Sequence, residues 1–352
     1  MLMRLFVFLL ITWGFCIRVA ADEFDHDFEV DVICYRILEG NEVEVTREPW
    51  GIHQYTGDMV IPEIVTYEGM EYVVTTIGEF AFQGSDITSI SLPATLKVIA
   101  NRAFEDCSFL KEILLPEGLE EIGGFAFKGC GIRSVTIPST VSCIGSTPFS
   151  QCGYLLKPEG VWIGAMGLDH VTVSEGNTFF DSREDCDAII ETATNKIIQG
   201  TNNSIITDGI EAIGDSAFFC CKRITKLYLP ASLKEFGVRC FWNCQSMKTI
   251  YNFNPEPLEV KWPLFLLRSE WALDATLYIP IGTREAYENS YPWASFAEIV
   301  EFDPTNIDQH VAKPTGRVTY FNANGKRQSS LQRGLNIVLH ADGTSTKKMV
   351  RR

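Results

Sequence analysis

The chain has 352 residues, of which 46% are hydrophobic and 21% charged, a balance that excludes a largely disordered protein. Its formal net charge of −15 opposes long-range attraction to nucleic acid or to an anionic membrane. No apolar run reaches the length of a bilayer helix, so no integral membrane span is expected.

At the start of the chain, Arg4 precedes the apolar run Leu5 to Ile11, then Trp13 and Phe15, then the small residues Ala20 and Ala21. This is the layout of a secretory leader, and cleavage after Ala21 would begin the mature chain at Asp22. Residues 1–21, Cys16 among them, are therefore expected to be removed. Trp13, Gly14 and Phe15 make a poor lipid-attachment sequence before Cys16. The expected location is secreted or on the outer cell surface. The remaining charge is uneven. Residues 311–352 hold nine Lys and Arg against Asp342, a net +8 that leaves −25 for residues 22–310.

Residues 22–75 read as a β-rich first cap. Phe28, Val30 and Val32 alternate, as do Val43 and Val45, with Gly40-Asn41 as the turn between them. Met59 to Pro62 then begins a ladder, and Glu68-Gly69 marks a hairpin between Val65–Tyr67 and Tyr72–Val74.

The next segments repeat. Ile77-Gly-Glu-Phe-Ala81-Phe82 aligns with Ile99 to Phe104, Ile122 to Phe127, Ile144 to Phe149, Ile213 to Phe218 and Phe236 to Phe241. The phenylalanines step by 22, 23, 22, 69 and 23 residues, the long step being three periods. After each come apolar residues at strand spacing: Ile87, Ile90 and Leu92; Leu110, Ile113 and Leu115; Ile132, Val135 and Ile137; Ile224, Leu227 and Leu229; and more weakly Met247 and Ile250. Pro93, Pro116, Pro138 and Pro230 close these strands. The Ile and Ala four apart suit one short helical turn. Such a unit cannot bury its apolar face alone, but stacked copies form a continuous core with one parallel sheet. The predicted class is α/β and strand-rich: a leucine-rich-repeat solenoid with 22–23-residue turns, a β-rich N-terminal cap and a small C-terminal β module.

Residues 153–212 interrupt the period. Leu168 to Val173 keeps the strand pattern, Ile205-Ile206 suggests another strand, and Ala188–Glu191 with Lys196–Gln199 suggests a hairpin projecting from the stack. Residues 253–302 form the last cap. Ala275 to Pro280 repeats the ladder strand, Tyr287, Tyr291, Trp293 and Phe296 fall on an expected helix, and Ile299-Val300 ends the sheet. Residues 303–315 read as a linker. Residues 316–352 read as a module with strands at Val318–Phe321, Asn336–His340 and Lys348–Val350.

The unit I-G-x-x-A-F-x-x-C with its L-x-x-I-x-L-P strand resembles the BspA-like leucine-rich-repeat family over about residues 58–300. Pro148 and Cys240, in place of Ala, and the weak strand at Tyr251-Asn252 depart from it. That family consists of surface and secreted proteins, many from anaerobic Gram-negative bacteria of the gut and mouth. The resemblance implies adhesive or host-interaction roles. The C-terminal module resembles those of exported proteins from the same bacteria, some of which act in sorting or surface attachment.

Ten cysteines follow the leader. Cys107, Cys130, Cys152, Cys221 and Cys244 share the position three residues after the repeat phenylalanine, where Ser85 stands in the first repeat. They read as inward stacking residues, mostly free. Cys34, Cys143, Cys186, Cys220 and Cys240 fall outside that phase and leave a disulfide open. Cys220, Cys221, Cys240 and Cys244 superficially resemble a zinc cluster, yet two belong to the ladder, and no metal or other cofactor is expected. Asp181, Glu184, Asp185 and Asp187 read as a solvated loop rather than a calcium site. No nucleophile, phosphate-loop or dinucleotide motif is present, so no catalytic residue is assigned and an enzyme is not expected. Alternation turns outward Ser89 and Ser91, Glu112 and Leu114, Ser134 and Thr136, His170 and Thr172, Lys226 and Tyr228, and Thr249 and Tyr251. Of these, Glu112, Leu114, His170, Thr172, Lys226, Tyr228, Thr249 and Tyr251 are the candidate binding positions for an extracellular or host protein or a glycan. The competing reading gives those side chains only the task of stabilising their own sheet.

Overall fold

The computed structural model describes residues 26–48, 55–153, 155–156, 162–260 and 275–304, together with strand backbone at 319–322, 327–328, 334–339 and 345–350. The leader 1–21 and most of the 303–315 linker lie outside the described residues.

The first cap is β-rich as expected, but Asp31 and Val32 (φ 47° and 66°) form a tight turn where the alternation from Phe28 to Val32 predicts one strand, and a further strand follows at Ile33–Ile37. Phe28–Val30, Ile33–Ile37 and Glu42–Val45 pair antiparallel, and Glu42–Val45 then pairs parallel with Met70–Ile77. Ile64–Tyr67 folds back on Met70–Ile77 across Glu68 and Gly69, whose φ of 50° and 80° are the left-handed values a tight hairpin requires.

From Met70–Ile77 the solenoid runs as two parallel ladders, not one. The anticipated strand face joins Thr56–Val60 to Asp86–Ser91, and Ser134–Ile137 to His170–Val173. Further on it joins Lys226–Leu229, Thr249–Asn252, Thr276–Pro280 and Glu298–Phe302 in that order. Residues 111–116 hold their place in the stack, with Leu115 buried, but carry no strand. The second ladder is formed by the repeat isoleucines, at Val98–Ile99, Glu121–Ile122 and Cys143–Ile144, and again at Ala212–Ile213 and Glu235–Phe236.

The helical turn suggested by the Ile-to-Ala spacing is therefore absent. The residue before each repeat Ala position (Phe80, Arg102, Phe125, Thr147, Ser216 and Arg239) is left-handed, with φ between 43° and 57°. So is the residue before each repeat Cys or Ser: Gly84, Asp106, Gly129, Gln151, Cys220 and Asn243. Two left-handed corners per turn break any α-helix, because an L-residue helix holds φ near −60°. The corners instead send amides to the next rung: Phe82 N donates to Ala103 O at 2.7 Å, Phe104 N to Ala126 O at 2.7 Å, Phe127 N to Pro148 O at 2.8 Å and Phe218 N to Cys240 O at 2.8 Å. Pro148 and Cys240 can thus replace Ala as carbonyl acceptors of the ladder, although Pro148 forgoes the amide bond that Ala81, Ala103, Ala126 and Ala217 make to the carbonyl three residues before.

Phe82, Phe104, Phe127 and Phe149 form one fully buried column, with centroids 5.1, 5.1 and 5.2 Å apart and planes within 4° of parallel. The repeat cysteines are free and buried. Four of the five thiols donate to the phenylalanine carbonyl of the preceding rung, Cys107 Sγ to Phe82 O at 3.0 Å, Cys130 to Phe104 O at 3.1 Å, Cys152 to Phe127 O at 3.0 Å and Cys244 to Phe218 O at 3.1 Å, while Cys221 reaches Gly200 O at 4.0 Å. Burial pushes the Cys130, Cys152, Cys221 and Cys244 thiols well up, so they stay protonated donors.

The 188–199 hairpin does not project. Ile189–Glu191 and Lys196–Gln199 pair antiparallel, and Lys196–Gln199 continues the second ladder into Ala212–Ile213. Ile189 packs in the first core and Ile190 in the second, both fully buried, so this strand joins two stacks. Apolar Ile189, Ile190 and Ile197 in succession explain why it sits inside. Residues 205–206 form no strand.

The last cap also departs from expectation. The helix spans only Arg284–Glu288; Trp293 sits on a separate 3-10 turn, Trp293–Ser295, after the cis Tyr291-Pro292 bond. Tyr287 and Trp293 are nevertheless fully buried, with Tyr287 Oη donating to Asn254 O at 2.8 Å and Trp293 Nε1 to Leu258 O at 3.0 Å. The C-terminal module has four antiparallel strands, Arg327–Gln328, Thr319–Asn322, Gly334–Leu339 and Ser345–Val350 in spatial order, rather than three.

Candidate binding face

The outward side of the strand face differs between the two stacks. On the first stack, Ser89, Ser91, Glu112, Ser134, Thr136 and Thr172 are exposed, and Leu114 stands out at 84% exposure. Several of these polar groups are engaged with one another. Asp58 Oδ1 accepts from Thr88 Oγ1 at 2.8 Å and Ser89 Oγ at 2.6 Å, and those bonds hold its carboxyl below the usual range. Thr136 and Thr172 hydroxyls are 3.1 Å apart.

His170, half-exposed, places Nδ1 3.2 Å from Oδ1 of Asp187, a carboxylate only 3% exposed. Parallel register puts Ser134 opposite His170. One residue before each of this strand pair, Arg133 meets Asp169 at 2.5 Å, and Asp169 also pairs with Arg223. Asp169 thereby bridges the two stacks. In the acidic 181–187 segment Arg183 clasps Asp181 at 2.7–3.1 Å, and Asp187, expected on a solvated loop, is buried against His170.

The second stack carries an aromatic row. Register aligns Tyr228, Tyr251 and Tyr278, with Val300 next in line. Tyr228 and Tyr251 stack at 5.1 Å and 6°, Tyr251 and Tyr278 at 4.5 Å and 21°. Phe302 meets Tyr251 and Phe253 edge-on at 5.8 and 5.2 Å. These five rings form a cluster of their own, separate from both cores. The parallel row beneath reads Lys226, Thr249, Thr276 and Glu298. Tyr251 points outward as alternation requires, yet its neighbours leave it only 7% exposed; Tyr228 and Tyr278 are half-buried. Burial raises the Tyr228 and Tyr251 phenols, for Tyr251 with the neighbouring phenols adding to it, so their hydroxyls remain protonated.

Sequence reasoning reached Tyr228 and Tyr251 but missed Tyr278, Phe253 and Phe302. The signal was present, since Tyr278 lies between inward Leu277 and Ile279, but the longer interval between Ile250 and Leu277 departs from the 22–23-residue period and hides the register. Cys220, Cys221, Cys240 and Cys244 do not gather as a metal cluster among the described residues. Cys220 Sγ instead accepts from Asn243 Nδ2 at 3.0 Å. A cleft of about 200 Å³ lies at the joint of the stacks, lined by Ser146, Thr147, Glu191, Lys196, Gly214 and Asp215 among others.

Residues 65–156 and 188–258 match the family described as BspA type leucine rich repeat region, in six copies. No curated protein matches the chain. Among solved structures, a leucine-rich repeat protein from Eubacterium ventriosum ATCC 27560 is 13% identical with a TM-score of 0.43, over 76% of this chain and 82% of that one. A leucine rich cell surface protein from Faecalibacterium prausnitzii A2-165 is 16% identical with a TM-score of 0.34, over 82% and 98%. A leucine-rich repeat protein from Bacteroides ovatus ATCC 8483 is 20% identical with a TM-score of 0.29, over 79% and 100%.

Proposed function

The chain is a leucine-rich-repeat protein of the BspA type, and from that premise we propose that it is exported and binds an extracellular protein through the aromatic end of its strand face. One observation carries this reading: Tyr228, Tyr251 and Tyr278, with Phe253 and Phe302, form an outward aromatic cluster that neither core needs. Tyrosine rings fixed by their neighbours lose little freedom on binding and offer both apolar edge and hydroxyl, which suits an interface anchor. Because the rings stack on one another, they present edges and hydroxyls outward rather than open faces. That favours a protein surface over a sugar ring, which would need a free ring face to lie on. The leader-like pattern of residues 1–21 supports export, and the helices among the described residues include none long and apolar enough to cross a membrane.

The role is binding without catalysis. His170 and Asp187 are the acid–base pair a hydrolytic reading would draw on, but neither lines the joint cleft, and their contact ties the 181–187 loop to the sheet. The alternative of a surface scaffold without a specific ligand draws on the first stack, whose outward hydroxyls bond to their own sheet.

The test is capture by the full chain from a panel of extracellular-matrix proteins and an array of glycans. Tyr228→Ala should weaken a captured protein by about 1–2 kcal/mol, on the order of ten-fold. Equal retention by Tyr228→Ala and Tyr278→Ala removes this face from the binding role, and capture of nothing from either panel favours the scaffold.

A further inference from the structure

The first cap contains a group of ligating atoms that neither the repeat nor the binding face uses. His26, Glu29 and Cys34 each place one donor atom within 4.8 Å of the other two. The fold brings them together for a simple reason. Glu29 and Cys34 are directly opposed partners of the antiparallel pair Phe28–Val30 and Ile33–Ile37, so their side chains share a face. His26 is held beside them because the next residue is fastened twice: Asp27 N donates to Tyr35 O at 2.8 Å, and its carboxylate accepts from Ile37 N at 2.7 Å.

The second observation concerns His26 itself. Its Nδ1 is shielded from solvent and has no hydrogen-bond partner. A buried imidazole nitrogen without a donor or acceptor is disfavoured, and such atoms call for an explanation. A cation bound by that nitrogen supplies one. The surroundings are also rigid. Tyr55 Oη accepts from Cys34 N at 3.0 Å and donates to Thr46 O at 3.2 Å, while Thr46 N donates to Cys34 O at 2.9 Å. Outer bonds of this kind are what fix the ligands of a metal centre.

We infer that His26, Glu29 and Cys34 form a zinc-type site that clamps the segment before Phe28 onto the first cap. One thiolate, one imidazole and one carboxylate make a mixed set of the borderline softness that suits Zn²⁺, with water completing a tetrahedron. Bonds of roughly 2.0–2.3 Å require the donors to close in by a fraction of their present separation, and exposed Glu29 is free to make that movement. Cys34 binds as thiolate, its proton passing to solvent as the metal enters.

The test uses the full chain carrying Cys143→Ser, which removes the exposed thiol, and titrates it with Co²⁺ alone. One equivalent should produce a thiolate-to-cobalt charge-transfer band together with the visible bands of a tetrahedral centre, and Zn²⁺ should displace it. Cys34→Ser should abolish the charge-transfer band. His26→Ala and Glu29→Gln, which leave the buried cysteine and its strand intact, should each weaken binding at least ~10-fold. A chain that takes up no cobalt overturns the proposal. So does a charge-transfer band that persists in Cys34→Ser, or an affinity indifferent to both His26→Ala and Glu29→Gln.

Discussion

The first and second stacks use one repeat and share its inward rings, but the second adds a row of tyrosines on its outward strand face. In the first, four phenylalanines run inward as an unbroken column, and the outward face, exposed Leu114 apart, is polar, with several hydroxyls bonded within it. In the second, Phe218 and Phe241 continue the inward column at 5.1 Å, while three tyrosines build another column on the outside. The inward rings close a core. The outward ones add apolar surface where the repeat does not require it. Within one scaffold, then, it is the departure from the repeat's economy on which the proposed binding face rests.

The comparison can be attacked most strongly at the inward column. Phe127→Ala, which removes a ring stacked on both sides, should cost about 3–5 kcal/mol in urea unfolding. If the stacks are separate units, this variant should split the transition, with the second stack keeping its midpoint; a single shifted transition would show one cooperative core. Next in size is Tyr251→Ala. It deletes the middle ring of the outer row, so two stacked pairs are lost, for roughly 1–3 kcal/mol confined to the second stack. No measurable loss would mean the outer row is only loosely formed.

Cys130→Val should cost about 0.5–1.5 kcal/mol in the first stack, because Phe104 O loses its thiol donor and keeps only the Cys107 amide at 3.2 Å. Cys130→Ser keeps a donor and should cost less, a ranking that reads the thiol as a hydrogen-bonding group rather than as filler. The smallest effect expected is acid sensitivity centred on Glu105. Burial pushes its carboxyl up, but Lys128 at 2.6 Å, Gln83 at 2.8 Å and Arg102 outweigh that and hold it below the usual range. Its contribution is complete above the unfolded carboxylate value of about 4.3 and is lost as pH falls through the lower folded value. Thermal midpoints followed from pH 7 downward should therefore fall less steeply in Glu105→Gln than in the parent chain.

Much of this architecture is legible in the residues. A period of 22–23 residues, an invariable inward Phe and strand-spaced Ile and Leu demand a stack, and Gly40-Asn41 and Glu68-Gly69 announce the cap hairpins. What misled was local spacing. Ile99 and Ala103 sit four apart as on a helix, yet Arg102 is left-handed at φ 55° and Ile99 pairs with Ile122, so the next rung decides the backbone and not propensity. The same holds for Ile189–Glu191. Read alone it is half of an exposed hairpin, but its two isoleucines need two cores, and only the fold supplies both. Of the candidate face, Tyr228 and Tyr251 followed from alternation. The covering of Tyr251 by Tyr278 and Phe302 depends on strands that are far apart in sequence and adjacent only in the stack.

The joint strand has a mechanical meaning as well. Were the chain held at one end and its proposed partner at the other, a pull along its length would be transmitted through each stack from rung to rung. At the joint that load passes through Ile189–Glu191, with one isoleucine seated in each core, and through the Asp169 bridge between Arg133 and Arg223. Parting the stacks under tension would require both isoleucine sockets to open and the ionic clasp to separate together. The interruption in the repeat is thus where the molecule is riveted, and its resistance to force should be set there rather than in the regular turns on either side.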